Sequence, residues 1–325
     1  FSLQRALLLL LSRLCPAFWL PQAWAARPPG VADGHWRNPL LGDAVWWGYP
    51  WMVAVTEAWR SARVPLWSAA SYAGHPLAAS YLPAAFSPFT AIAAIVPMPW
   101  ATVAVAVARL AVGGAGMFVA LRRMGLTVPA AGFGALACAL NPFSLVWLED
   151  PSASVVAFTP WLLAAAWMVI TRGSRRDVAG LAVGVALVLL AGNPQTAFNV
   201  ALLAAAFVVA GIVAGRERGR RVGTTARVVA GVALGVSLAA VQLVPFAEYA
   251  RESRVLAARS AKAGNHTFVP RRAAVAAIVP AFFGNPAGAS VTIANRFGEP
   301  TNDVEQVAYP GIVIWPLAAV GLAVS

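Results

Sequence analysis

The run TVAVAVARLAVGGAGMFVALRR, Thr102–Arg123, decides the fold class of this chain. Its residues are almost all apolar, and the pair Arg122 and Arg123 ends it. A helix that crosses the hydrocarbon core of a bilayer needs about 20 mostly apolar residues. The run therefore predicts a membrane-spanning helix at Trp100–Leu121, with a single arginine, Arg109, in its middle.

The composition of the whole chain favours a membrane protein. Of its 325 residues, 60% are hydrophobic and 11% are charged, and the mean hydropathy is +0.70. Soluble domains are about 45–50% apolar and about 25% charged. Cys15 and Cys138 both lie in apolar runs, so the sequence indicates neither a disulfide framework nor a zinc motif.

Apolar runs of similar length predict an all-α polytopic membrane protein with eight spans. The predicted spans are Ala6–Ala25, Trp100–Leu121, Thr127–Trp147, Ala153–Thr171, Val178–Gly192, Gln195–Ala214, Ala226–Tyr249 and a last span from Gln306 to the end. Two shorter runs, Phe86–Pro97 and Ala273–Phe283, are typical of interfacial or re-entrant segments. Because the chain begins without methionine and ends inside an apolar run, we expect it to be part of a longer protein, with residues 1–325 forming one transmembrane domain.

The arginines predict the orientation of the spans. Every second short loop is rich in arginine, and these loops hold ten arginines but only two of the twelve acidic residues. By the positive-inside rule they are cytoplasmic, as is the N-terminus. The net charge of +12 is then explained by the arginines of the cytoplasmic loops, which argues against a nucleic-acid partner. Two large segments, residues 26–99 and 250–305, become extracytoplasmic loops, and we expect function on that face of the membrane.

Asp43 is the first candidate functional residue. It precedes a segment in which Trp47, Trp51, Val55 and Trp59 recur every four residues, a pattern that predicts an amphipathic helix suited to the membrane interface. The carboxylate either caps this helix or performs chemistry. The aromatic faces of Trp46 and Trp47 are candidates for substrate binding.

Two further groups of polar residues stand at predicted outer turns. Glu149 and Asp150, in WLEDPS, either form a solvated turn or share a divalent cation, for which hard oxygen ligands suit Mg²⁺ or Mn²⁺. Asn193 and Gln195 follow the short fifth span, so they either face a polar cavity or form hydrogen bonds between helices.

The remaining candidates carry charge or an imidazole. A guanidinium in the middle of a span, as at Arg109, costs at least about 2.5–3.5 kcal/mol on insertion scales, so it should pair with an acid or bind a phosphate. Glu248 and Arg251 close the seventh span on the outer side, and His75 lies in the first outer loop. These three are candidates for substrate binding.

The order and spacing of six segments resemble the YfhO-type bacterial membrane proteins. The segments are LLGDAVWWGYPW (40–51), PLWSAASYAGHPLAASYLPAAFSPF (65–89), LEDPS (148–152), AGNPQTAFN (191–199), AAVQLVPFAEYARES (239–253) and YPGIVIWPLAAVGL (309–322). That family is similar to the GT-C glycosyltransferases, membrane enzymes that use lipid-linked sugars on the outer face. The resemblance implies a catalytic acid in the first outer loop, which is Asp43 here, and a second acidic motif between the third and fourth spans, which is Glu149 and Asp150.

The resemblance also implies an activity. A hexose would move from a polyprenyl-phosphate donor to an extracytoplasmic acceptor, such as a teichoic-acid-like envelope polymer or a lipid. Asp43 would act as general base, while a cation at Glu149 and Asp150, or an arginine such as Arg109 or Arg251, would neutralise the departing phosphate. Two other hypotheses stay open: a non-enzymatic transporter or lipid-handling scaffold, and a structural assembly subunit.

Overall fold

The computed structural model of the chain describes residues 43–70, 73–214, 218–254, 274–275, 277–279 and 314–324. These residues are mostly helical, with one two-stranded antiparallel pairing. A π-helical turn, Ala44–Gly48, precedes the first α-helix. The α-helices are α1 (Tyr49–Arg60), α2 (Pro88–Ile95), α3 (Met98–Arg123), α4 (Val128–Ala139), α5 (Pro142–Val146), α6 (Pro151–Thr171), α7 (Arg175–Leu189), α8 (Pro194–Ala214), α9 (Arg218–Leu238), α10 (Ala240–Glu252) and α11 (Ile314–Val324). The strands are β1 (Trp67–Ser68) and β2 (His75–Pro76).

The chain divides into two compact units. The first comprises Phe1–Tyr49, Leu140–Glu149 and Ala263–Ser325, and its described part includes the π-helical turn, α5 and α11. Within it, the indole N–H of Trp315 donates to the carbonyl of Ala277 at 2.9 Å. The second unit, Pro50–Ala139 with Asp150–Lys262, holds the long apolar helices.

Four helices of the second unit are long and apolar enough to cross a membrane. They are Met98–Arg123, Pro151–Thr171, Pro194–Ala214 and Arg221–Leu238. This agrees with an all-α membrane protein and with the predicted second, fourth and sixth spans. The predicted first span, Ala6–Ala25, lies outside the described residues, as does most of the loop 250–305. Of the predicted last span, Ile314–Val324 is described and helical.

Three other predicted spans differ from the observed helices. The predicted span Thr127–Trp147 is two helices, because Asn141 ends one and starts the next: its side chain accepts the N–H of Ser144 at 3.0 Å. The predicted seventh span breaks at Ala239, between α9 and α10. Helix α7 has 15 residues, the length predicted for the fifth span, but it begins earlier, at Arg175.

Four of the helices begin with the same kind of dipeptide. A polar residue that can cap is followed by proline at the first helical position, where the missing N–H costs nothing and the fixed φ suits a helix. The pairs are Ser87–Pro88, Asn141–Pro142, Asp150–Pro151 and Asn193–Pro194. Each cap side chain accepts a backbone N–H of its helix's first turn. These starts are therefore encoded locally.

Glycines set how closely the helices pack. A Cβ on Gly184 would lie 3.2 Å from the Cα of Leu162, where α7 crosses α6. A Cβ on Gly235 would lie 2.6 Å from both the carbonyl of Ala182 and the Cβ of Val185, where α9 crosses α7. Small residues at such crossings let backbones approach closely. Gly180 is different, because nothing lies within 4 Å of its Cβ position.

The helices of the second unit place their arginines together. The indole of Trp167 donates to the carbonyl of Arg123 at 3.2 Å, so α3 and α6 end side by side. The guanidinium of Arg227, in α9, lies against Gly173, in the turn after α6. We call this the arginine end; its residues are Arg122, Arg123, Arg172, Arg175, Arg176 and Arg227. The starts of α6 and α8 lie at the opposite, polar end. Which end faces the cytoplasm stays a prediction.

Gly235→Ala should destabilise the folded protein by an amount on the order of 1–3 kcal/mol, because the added methyl overlaps the backbone of α7. Gly180→Ala is the matched control, and it should be neutral or stabilising by up to about 1 kcal/mol, since alanine is the better helix former. Thermal unfolding of both variants in the same detergent measures the difference. Equal melting temperatures would contradict the close crossing of α7 and α9.

Candidate functional site

Asp43 stands where a helix cap would stand but does not act as one. It lies at the N-terminal edge of the π-helical turn, its backbone is already helical (φ −57°, ψ −35°), and its side chain makes no capping hydrogen bond. The carboxylate is exposed. The turn is closed instead by the N–H of Tyr49, which donates to the carbonyl of Ala44 five residues earlier. Capping therefore does not explain this acid.

The aromatic side chains that follow Asp43 divide into buried and exposed ones. Trp46 is 75% exposed and Trp47 is partly buried. Trp51 and Val55, on α1, are 7% and 0% exposed, so they contact protein rather than lipid. The indole of Trp59 donates to the carbonyl of Ala85 at 2.9 Å. The prediction that this stripe lies in the membrane interface is wrong for these side chains, because they hold α1 against residues 75–86.

The segment Leu77–Ser87, predicted only as part of an outer loop, is ordered and largely buried. Because it lacks a helical hydrogen-bond ladder, side chains from elsewhere bond its carbonyls. The hydroxyl of Thr90 and the amide of Gln242 donate to the carbonyls of Ala84 and Ala78, at 2.7 and 2.5 Å. The side chain of Gln242 is 1% exposed, and its Oε1 has no hydrogen-bond partner among the residues that the structure describes.

Tyr81 fixes this segment to the polar end of the helices. Its backbone has φ +74°, which non-glycine residues seldom adopt, and its side chain is 2% exposed. The phenol hydroxyl donates to the carbonyl of Leu189 at the end of α7, and the ring meets Phe246 edge-on at 4.8 Å. Burial raises the pKa of Tyr81 to about 12. Tyr81 is thus a neutral hydrogen-bond donor at any ordinary pH.

The turn between α7 and α8 meets the same segment. Gly192 has φ +98°, and a Cβ there would collide with the side chain of Ala84. Only glycine meets both requirements, because it tolerates positive φ and presents no side chain. Gly192, the first residue of the sequence GNP, therefore marks a close approach of its backbone to that of Ala84.

Asp150 and Asn193 act as helix caps. Oδ1 of Asp150 accepts the N–H of Ser152 at 2.7 Å, and Oδ1 of Asn193 accepts the N–H of Thr196 at 2.9 Å. The amide of Asn193 also donates to the hydroxyl of Ser152 at 2.9 Å, which joins α8 to α6. Of the two interpretations open for Asn193, the structure contains the hydrogen bond between helices.

The proposed cation ligands do not assemble into a recognisable metal site. Glu149 is partly buried and belongs to the first unit, whereas Asp150 belongs to the second and already uses one oxygen as a cap. Among the residues that the structure describes, no group of three or more His, Cys, Asp and Glu side chains could hold a metal ion. The hypothesis of Mg²⁺ or Mn²⁺ stays a prediction.

Arg109 lies about 16 Å along α3 from Met98 and faces protein. Its Nε donates to the hydroxyl of Ser154 at 2.9 Å, and its guanidinium carbon lies 5.9 Å from the ring centroid of Phe89. Ser154 is fully buried in the first turn and a half of α6. Arg109, which the sequence placed in mid-span, is thus held at the N-terminal part of another helix.

The remaining candidates differ in exposure. The ring of His75 stacks on Trp51 with centroids 5.1 Å apart, and burial lowers the pKa of His75, which favours the neutral imidazole. Gln195, Glu248 and Arg251 are exposed. The structure therefore leaves these three available to a ligand, while it gives His75 a packing role.

Sequence reasoning missed Tyr81, Gln242, Ser152 and Ser154. Gln242 had a signal, since an amide inside the apolar run AAVQLVPF needs a partner. Ser152 and Ser154 had a weaker one, because PSAS places two hydroxyls at the start of a span. Tyr81 had none, since its left-handed backbone and its partner Leu189 arise only from the tertiary structure.

Comparisons with known proteins supply no family. No family model, no curated protein and no solved structure matches this chain. The resemblance to YfhO-type proteins therefore remains a hypothesis that rests on the six segments.

Asn193→Ala should destabilise the protein by about 0.5–2 kcal/mol, because it removes the cap of α8 and the bond to Ser152. Gln195→Ala, two residues away and exposed, should change stability by no more than about 0.5 kcal/mol. Unfolding by denaturant in detergent measures both variants. If Gln195→Ala were the more destabilising, the capping geometry would be wrong.

Tyr81→Phe should cost about 1 kcal/mol below pH 10, because the carbonyl of Leu189 loses its donor. Above pH 10 the unfolded chain ionises Tyr81 while the folded chain keeps the proton until about pH 12, so the wild type loses stability as pH rises. Melting temperatures at pH 8.5 and 11 should therefore fall less in the variant. Tyr49→Phe, at an exposed tyrosine, is the control; identical pH dependence of Tyr81→Phe and wild type would refute this role.

Proposed function

We propose that the protein is a membrane glycosyltransferase of the GT-C type, which moves a hexose from a polyprenyl-phosphate donor to an acceptor in the bacterial cell envelope. One observation carries the proposal: Asp43 is exposed and makes no capping hydrogen bond although it precedes a helical turn. An acid that is not needed for local structure is available for chemistry. Its position in the chain is the one that the resemblance assigns to a catalytic acid.

In this proposal Asp43 is the general base. The acceptor hydroxyl oxygen attacks the anomeric carbon of the donor sugar, Asp43 takes the hydroxyl proton, and the bond from the anomeric carbon to the phosphate oxygen breaks. Attack opposite the leaving group inverts the anomeric centre. A positioned base of this kind contributes about 10²- to 10⁴-fold to the rate.

The departing polyprenyl phosphate carries negative charge that a cation must stabilise. Arg251, which is exposed near the end of α10, is the first candidate for this role. Arg109 is the second candidate, but its Nε is already bonded to Ser154. Fixed guanidinium charge stabilises a developing phosphate anion without a metal. No step of the proposal requires Mg²⁺ or Mn²⁺ at Glu149 and Asp150.

Other candidate residues would bind the sugar and the lipid. Trp46 presents an exposed aromatic face, and Gln195 and Glu248 are exposed polar side chains. The site would lie on the extracytoplasmic side, where lipid-linked donors and envelope polymers such as teichoic acids meet. Membrane lipids would surround the apolar helices.

A non-enzymatic transporter or lipid-handling scaffold is the second candidate. Three polar side chains of the second unit, of which Tyr81 is buried and Arg109 and Asn193 are partly buried, bond to Leu189, Ser154 and Ser152 respectively. Such a network rigidifies a membrane protein whether or not it catalyses a reaction.

Asp43→Asn in the full-length protein should lower sugar transfer by about 10²- to 10⁴-fold, because an amide cannot accept the hydroxyl proton. Membranes are given polyprenyl-phosphate glucose with a radioactive sugar, and label in envelope polymer is counted. Glu57→Gln, an exposed acid on α1, is the matched control and should transfer at the wild-type rate.

The outcomes separate the candidates. Transfer by Asp43→Asn at nearly the wild-type rate would refute the catalytic role of Asp43. Absence of transfer by the wild type, with normal insertion, from both glucose and N-acetylhexosamine donors would favour the transporter or scaffold. Loss of transfer together with a lower melting temperature for Asp43→Asn alone would assign Asp43 a structural role.

A further inference from the structure

The arginine end concentrates positive charge at one end of the apolar helices. Its six arginines come from α3, from the turn between α6 and α7, from the first turn of α7, and from α9. One nitrogen of the Arg122 guanidinium already has a partner, because Nη1 donates to the carbonyl of Leu126 at 2.6 Å. Arg123, Arg172 and Arg227 are exposed. Guanidinium groups gathered from different helices repel one another unless an anion lies between them.

Asp177, the acid of this cluster within the part of the chain that the structure describes, is committed to local structure. Its carboxylate accepts the N–H of Ser174 at 2.9 Å while the hydroxyl of Ser174 accepts the N–H of Asp177, which forms a capping box. Burial opposes ionisation of Asp177, but the bonds from Ser174 and the charges of Arg172 and Arg123 prevail and lower its pKa. One carboxylate cannot neutralise six arginines, so the cluster retains an excess of positive charge.

Two contacts place arginines of this cluster at the ends of α3 and α6, two candidate membrane spans. The indole N–H of Trp167 donates to the carbonyl of Arg123, and amphipathic indoles favour the membrane–water interface. The guanidinium of Arg227 lies over Gly173, whose φ of +69° and missing side chain leave room for it: a Cβ there would be 2.9 Å from Nη1. Arg227, the seventh residue of the candidate span Arg221–Leu238, is thereby held at the turn that follows another candidate span, α6.

We propose that the arginine end binds the headgroup phosphate of an anionic phospholipid, with Arg123, Arg172 and Arg227 as its ligands. The guanidinium fork matches the two free oxygens of a phosphodiester, which a compact ammonium group does not. Basic clusters between membrane helices at the interface attract anionic lipids by about 1 kcal/mol per arginine. The proposal is independent of the glycosyltransferase activity, because no residue is shared.

The test measures the affinity of the full-length protein for phosphatidylglycerol and for phosphatidylcholine. The protein is purified in a neutral detergent, and bound lipid is counted by native mass spectrometry. Arg172→Gln/Arg227→Gln should lower the affinity for phosphatidylglycerol roughly 30-fold and leave that for phosphatidylcholine unchanged. Arg63→Gln/Arg254→Gln removes the same charge from exposed arginines outside the cluster and should have little effect.

Several results would overturn the proposal. If the wild-type protein binds the two lipids equally well, or if its preference for phosphatidylglycerol does not weaken in high salt, it has no such site. This comparison uses only the wild-type protein, so it tests the proposal even if the double variant fails to fold. An equal loss in both double variants would indicate a general charge effect. Inorganic phosphate that displaces the lipid at equal concentration would identify a site for free phosphate instead.

Discussion

The hydrogen-bonding of irregular backbone beside apolar helices is the constraint on which the rest of the structure depends. In a bilayer such backbone is tolerated only where protein or water satisfies it. The segment Leu77–Ser87 meets this requirement with Thr90, Trp59 and Gln242, which donate to its carbonyls. Those bonds fix α1 and α10 against it. Tyr81 and Gly192 then join the segment to the turn between α7 and α8.

This arrangement changes what the candidate residues can do. Asp150 and Asn193 were candidates for metal and substrate, yet each already caps a helix. Asp150 can still contact a ligand through its second oxygen, and Asn193 through its amide. Capping alone, however, explains why an acid and an amide occur at these positions. Asp43 has no such explanation, and the proposed chemistry depends on it for that reason.

The two ends of the second unit have different chemistry. At the polar end, Asp150, Asn193 and Tyr81 form hydrogen bonds with backbone or with another side chain. These bonds suit the polar end to hold a defined shape. The arginine end keeps an excess of charge that its own Asp177 does not balance. By the positive-inside rule, the arginine end is predicted to face the cytoplasm and the polar end the opposite side of the membrane.

The sequence by itself determined the membrane class, three of the spans and the starts of the helices, because apolar length and cap–proline pairs act within a few residues. It also marked Arg109 as needing a polar partner. Only the tertiary structure decided that Ser154 is that partner, that the stripe of Trp51 and Val55 faces protein, and that Ala239 breaks a predicted span. An amphipathic pattern shows that a face is apolar, and only the packing of distant segments determines whether lipid or protein covers it.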